Sequence, residues 1–265
     1  MRGLSRIVAF GLALAAAGAL GEELAIYRAG GEDVRLFDQY DNDGYSLSVS
    51  PRPDGSTELR VRVSDSPLAS DAPFPTSFPP EVSLPAAPER DAFASRLTSG
   101  SRTEAEAVRR LLLGIAARVR YDPDRLRRQD PAAVFASRRA YCVGLAELAV
   151  DLLRRAGIPA RTVQGILRAE PGSEAYDPSV GGAYHRWVEV YYPDRGYVFS
   201  DPWTSVNGVD ARYIPFVKRA LSRPRALRLE PVWASGGLSY QSVRAGDTTV
   251  RVRAVALTRR KERKT

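Results

Sequence analysis

CVGLAELAVDLLRRAGIPARTVQGI, residues 142–166, decides the fold. Leu145, Leu148, Ala149, Leu152 and Leu153 recur at helical spacing, with Glu147, Asp151, Arg154 and Arg155 mostly opposite. Gly157 and Pro159 are helix stop signals, and residues 160–167 then read as a strand. The segment is a helix that opens on a cysteine and runs into a strand. A second stretch, HRWVEVYYPDRGYVFSDP at 185–202, reads as a hairpin. Its strands cover 185–192 and 196–201, joined by the turn chemistry of Pro193, Asp194, Arg195 and Gly196. Alternation puts His185, Trp187, Glu189 and Tyr191 on one face. Together the two stretches predict an α+β fold, with the cysteine-bearing helix packed on an antiparallel sheet.

Cys142 is the only cysteine and His185 the only histidine. A helix N-terminus favours a thiolate, through free backbone amides and the helix dipole. The Cys142 amide is also placed to donate to an oxyanion. An imidazole is the natural base for a thiol, because it titrates near neutral pH. Asp201 ends the returning strand, so an antiparallel hairpin puts it roughly opposite His185, where a carboxylate fixes the imidazole tautomer. Structural readings stand beside these. A lone cysteine is often a small buried hydrophobe, a lone histidine is often structural, and aspartate before proline often belongs to a turn.

The 142–166 stretch resembles the core of the transglutaminase-like superfamily: a cysteine opening a helix, an arginine, a Gly-Ile-Pro-Ala-Arg run and a strand. The 185–202 stretch resembles the remainder, and the helix ending in VRYD at 119–122 resembles the family's preceding helix. The resemblance spans about 100 residues, from Thr103 to Trp203. It implies a papain-like core in which Cys142, His185 and Asp201 match the catalytic triad one for one. Trp187 and Glu189 fall on positions usually similar in the family and read as packing and hairpin support. Two positions depart. Ala140 stands where the family commonly has glycine, and Trp203 precedes Thr204 where threonine often follows the Asp-Pro pair directly. An oxyanion-hole side chain is not assigned by the resemblance; Tyr141 is adjacent to the nucleophile.

The implied chemistry is attack of Cys142 on an amide carbonyl and formation of a thioester. Water then gives peptidase or amidase hydrolysis, and an amine gives transglutaminase-type cross-linking. The partner is a protein or peptide substrate. The alternative is a non-catalytic exported binding module on the same fold, with residues 24–65 as its surface.

The rest of the chain frames this core. Arg2 and Arg6 precede the apolar run at 7–20, and small residues follow, which is the pattern of an export signal with the mature chain starting near Glu22. A secreted or periplasmic protein is expected, with no membrane span beyond the signal. Residues 46–50 and 58–63 alternate around the turn signals of 51–56 and predict a hairpin. Asp41, Asn42, Asp43 and Gly44 resemble half a calcium loop, but Ser50 stands where that loop needs glutamate, so a turn is expected. Prolines crowd 66–90, which reads as an extended linker or a segment lying along a domain surface. A capping box at Thr103 and Glu106 starts a helix through Val119. The organisation expected is signal 1–21, small β region 22–65, proline-rich linker 66–90, transglutaminase-like core 91–232, C-terminal strands 233–258 and basic tail 259–265.

One cysteine and one histidine do not supply a typical zinc set, and no phosphate-binding glycine loop or GxSxG elbow occurs. No metal or cofactor is expected. The net charge of +8 comes from arginines scattered along the chain, with a cluster only in the tail, so nucleic acid is not an expected partner.

Overall fold

The structure is a computed structural model that describes residues 21–66, 68–75, 84–169, 171–173, 176–178, 180–218 and 227–255. The expected signal run at 7–20 and the basic tail at 259–265 lie outside these residues, as do Pro67, Pro79 and Pro80. No helix among the described residues is long and apolar enough to cross a membrane.

The chain opens with four strands, β1 (Glu22–Gly30), β2 (Tyr40–Asn42), β3 (Tyr45–Pro51) and β4 (Thr57–Ser64). Helices α1 (Pro88–Thr98) and α2 (Glu104–Arg118) follow, then β5 (Arg120–Tyr121), α3 (Pro131–Ser137) and β6 (Arg139–Ala140). Next come α4 (Cys142–Arg155), β7 (Ala160–Arg168), β8 (Gly182–Tyr192) and β9 (Gly196–Ser200). The chain ends in β10 (Ser205–Val206), β11 (Tyr213–Pro215), β12 (Arg228–Ser235), β13 (Gln241–Ala245) and β14 (Thr248–Val252). The fold is α+β, and its four-stranded sheet, ordered β11-β7-β8-β9, is antiparallel throughout.

That sheet is covered on both sides. On one side Leu145, Leu148 and Leu152 of α4 pack with Leu111 and Ile115 of α2 against Val188 and Val190. On the other side lies the five-stranded sheet β12-β1-β4-β3-β2, whose Leu47, Leu59 and Val61 meet Trp187, Phe199 and Tyr213. Strand β8 is therefore buried at every position from Trp187 to Val190, as expected of a strand with no solvent face.

The expected hairpin forms as β3 and β4, with Leu47 opposite Val61. Asp43 and Gly44 make the two-residue turn between β2 and β3, and Gly44 takes the positive φ of 78° that such turns demand. Two elements run across the expected boundaries. Helix α1 begins at Pro88, inside the proline-rich stretch, because proline suits the first helical position. Strand β12 spans the 232/233 boundary and pairs with β1, from Leu24↔Ser235 to Gly30↔Arg228.

Segment 68–75 docks beside α2 rather than standing free. Ser70 Oγ donates to Asp194 Oδ1 at 2.9 Å, Asp71 N to Asp194 Oδ2 at 2.9 Å, and Glu104 N to Ala72 O at 2.9 Å. The Glu104 carboxyl is fully buried there and neither oxygen has a partner. Burial first, and then the nearby Asp194 charge, push it from 4.5 to about 8. The folded state thus holds a proton that the unfolded chain releases above about pH 4.5, and its stability falls as pH rises from there to about 8. Glu104→Gln is expected to remove this slope. The melting-temperature gain of the variant over wild type should widen from pH 5 to pH 8, and a gap constant with pH would refute the assignment.

Candidate active site

Cys142 is the first residue of α4 and is 8% exposed. Helices α2 and α3 are closed by side chains: Thr103 accepts from Glu106 N, and Asp130 from Ala133 N. Helix α4 has no such cap, because Tyr141 holds the position without a side-chain hydrogen bond. Its ladder begins with Leu145 N donating to Tyr141 O at 3.1 Å, so the amides of Cys142, Val143 and Gly144 precede it. The first turn is tightly packed. A methyl on Gly144 would lie 2.3 Å from Gln129 Oε1 and 2.9 Å from Ala140 Cβ. Gln129 Oε1 in turn accepts from Tyr141 N at 3.3 Å. The side chain of Ala140, where the family commonly has glycine, is accommodated because Gly144 has none.

His185 lies on β8 opposite Gly165, its ring 6.1 Å from Trp187 and 5.8 Å from Tyr213. Strands β8 and β9 pair from Tyr192↔Gly196 to Val188↔Ser200, the last pair before Asp201. Carried one step further, that register sets Asp201 diagonal to His185, in keeping with the rough opposition expected of the hairpin. The diagonal still brings His185 Nε2 within 2.6 Å of Asp201 Oδ2. Cys142 lies close enough to the ring to help hold its charge. With Nε2 turned to Asp201, Nδ1 is the nitrogen left for the sulfur. The structure thus brings Cys142, His185 and Asp201 together.

The electrostatics favour a charged ring. Burial alone would pull His185 down, but the Asp201 charge, the Asp201 hydrogen bond and Cys142 together raise it to about 10. Burial likewise works to raise Asp201, and the charge and hydrogen bond of His185 overcome it and hold the carboxyl below its ordinary range. Trp203 N donates to Oδ1 at 2.8 Å and Tyr213 OH to Oδ2 at 2.9 Å, so both oxygens are fixed. The backbone of Asp201 is closed on Ser205 by two hydrogen bonds, of 2.6 and 3.0 Å.

Tyr213 is the residue that sequence reasoning missed. It holds the carboxylate from the far edge strand β11, and its hydroxyl also meets Thr204 Oγ1 at 2.6 Å. Tyr45 OH donates to Tyr213 O at 2.6 Å, and Tyr27 OH to Ala211 O at 2.9 Å. The N-terminal sheet is thereby the support on which Tyr213 stands. Glu189 ties the same two sheets together, accepting from Tyr40 OH, from Asn42 Nδ2 at 3.0 Å and from Arg161 Nε at 2.7 Å. Burial raises Glu189 to about 8. Arg161 is half exposed, so its charge is largely screened by water. Among the described residues, no group of three or more His, Cys, Asp or Glu side chains is arranged to hold a metal ion.

Similarity to other proteins covers the same stretch. Residues 91–202 match the family model described as Transglutaminase-like superfamily. Over 75 residues the chain is 37% identical to Uncharacterized protein YebA of Bacillus subtilis (strain 168), a match over 26% of this chain and 10% of that relative. The chain thus spans about a tenth of YebA. A protein from Cytophaga hutchinsonii provisionally named a cysteine protease superposes at 12% identity, covering 81% of this chain and 86% of that one, with a TM-score of 0.46. The periplasmic domain of TgpA from Pseudomonas aeruginosa superposes at 18% identity, over 69% of this chain and 87% of that one, with a TM-score of 0.37. The matched stretch starts inside α1 and ends one residue past Asp201, and over residues 91–202 this chain carries a domain of the transglutaminase-like superfamily.

Proposed function

We propose that the protein is an exported cysteine-dependent enzyme that opens amide bonds of a protein or peptide through a thioester on Cys142, which water resolves. The observation that carries this reading is the 2.6 Å bond from Asp201 to His185, whose ring also meets Cys142 at an uncapped helix start. Export rests on Arg2, Arg6 and the apolar run that follows them.

In the reaction, Cys142 Sγ attacks the carbonyl carbon as a thiolate, with His185 as imidazolium. The developing oxyanion is placed to accept from the free Cys142 amide. His185 passes its proton to the leaving amine nitrogen, the C–N bond breaks, and a thioester remains. The now neutral imidazole takes a proton from water as its oxygen attacks the thioester carbonyl. Collapse releases a carboxylic acid and restores the Cys142 thiolate and the imidazolium.

Iodoacetamide labelling of Cys142 tests the resting pair, and mass spectrometry of incubated peptide mixtures tests the reaction. Labelling at pH 7 should slow by about 100-fold in His185→Ala with the fold intact. Peptides should gain the mass of water at an amide with wild type and not with Cys142→Ser. Joined peptides would replace water by an amine as the second nucleophile. Equal labelling of wild type and His185→Ala, with no peptide changed, would overturn the proposal.

A further inference from the structure

Five large apolar side chains are exposed among the described residues; of these, Tyr121 lies beside the strand that leads into the nucleophile and Leu126 on the segment that follows Tyr121. Isolated exposed hydrophobics are ordinary on a protein surface; what counts here is where these two lie. Tyr121 pairs with Ala140 on β5 and β6, two residues before Cys142, and is 39% exposed. Its ring centre is 5.8 Å from that of Trp203, two residues beyond Asp201, at a tilt of 38°. The two rings therefore connect the strand leading into Cys142 with the turn that follows Asp201. Leu126 is 97% exposed. It sits on a segment tied at both ends to the strand leading into the nucleophile, by Asp122 N to Ala140 O at 2.8 Å and by Tyr141 N to Gln129 Oε1 at 3.3 Å.

Charge does not account for this flank. Asp122 already pairs with Arg127 at 3.4 Å and Arg139 at 3.6 Å, and Arg128 with Asp130 at 2.9 Å. What the flank offers beyond those pairs is apolar and aromatic surface beside a reactive group, the usual makeup of a side-chain pocket. Trp203 also stands where the family resemblance leads to threonine.

We infer that Tyr121 and Trp203 form a subsite that takes a large apolar side chain of the peptide substrate next to the reacting amide. The inference rests on Cys142 being the reacting group. A pocket that accepts or loses several methylene groups changes selectivity by about 10-fold or more.

The test compares two peptides that differ only in carrying leucine or glycine next to the reacting residue. Selectivity is read as the kcat/KM ratio on wild type, and as the Kd ratio on Cys142→Ser. Wild type should favour the leucine peptide at least about 10-fold in both readings. Tyr121→Ala and Trp203→Ala should bring the ratio close to one, and Trp203→Phe should retain most of it. Thermal melting shows whether each variant folds, and the exposed Tyr121 variant decides the matter if Trp203→Ala does not. Turnover with a ratio near one on wild type, or a ratio unchanged in Tyr121→Ala and Trp203→Phe alike, overturns the subsite and leaves the proposed chemistry standing. A Kd preference without any turnover keeps the subsite and removes the chemistry.

Discussion

Asp201→Asn is expected to lower kcat/KM on amide substrates by about 10,000-fold while leaving the melting temperature within a few degrees. The reason lies in the donors around the carboxylate. Oδ1 accepts from Trp203 N, and Oδ2 accepts from Tyr213 OH and faces His185 Nε2. An asparagine has one acceptor atom and one donor group. If its oxygen stays on Trp203, its amide nitrogen faces His185 and forces the ring to carry its proton on Nδ1. The nitrogen that must serve Cys142 is then already protonated, without a charge to hold it as part of an ion pair. If the asparagine flips, its NH2 meets the Trp203 amide, and two donors oppose each other. The carboxylate charge that raises His185 to about 10 is also gone, so iodoacetamide labelling of Cys142 at neutral pH should slow in step with turnover. A loss of under about 10-fold in kcat/KM would remove Asp201 from the mechanism.

Trp187→Ala is expected to cost about 3–5 kcal/mol of stability and to lower the melting temperature by roughly 10 °C or more. The indole is fully buried and meets Phe199 edge-on at 5.7 Å and Tyr213 at 5.4 Å. It also lies over Gly165, where even a methyl would sit 2.6 Å from the ring. Two sheets and two site residues lean on this one side chain. The variant should therefore lose turnover at 20 °C as well, because His185 and Tyr213 both lose the ring they pack on. Denaturant melts with a kcat measurement on the folded fraction check both parts. A change under about 1 kcal/mol would mean the neighbouring rings close the gap.

The cysteine helix and the two strands behind it were legible because each carries its own period and its own stop signals. Cys142 and His185 were legible for a further reason: the chain offers no other residue of either kind. The exact partner of His185 was harder. Hairpin register follows the loop, and here Tyr192 pairs with Gly196 across residues 193–195, which sets Asp201 diagonal to His185. Tyr213 left no local signature. It sits on a three-residue strand whose neighbour, β7, lies more than forty residues back in the chain. Helix α1 was masked by the prolines before it, although Pro88 is itself a start signal. The membership of β12 in the first sheet was equally hidden, because no alternation within Arg228–Ser235 points to a partner near residue 25.

That last pairing sets a timetable. Strand β1 lies between β4 and β12, and β12 is made about 200 residues after it. Contacts this distant in sequence form slowly and late. Until β12 has emerged, the sheet that carries Tyr27 and Tyr45 is incomplete, and with it the support under Tyr213 and Asp201. A nascent chain would hold the nucleophile long before it holds a finished site. The arrangement around Cys142 is finished only once β12 has joined β1.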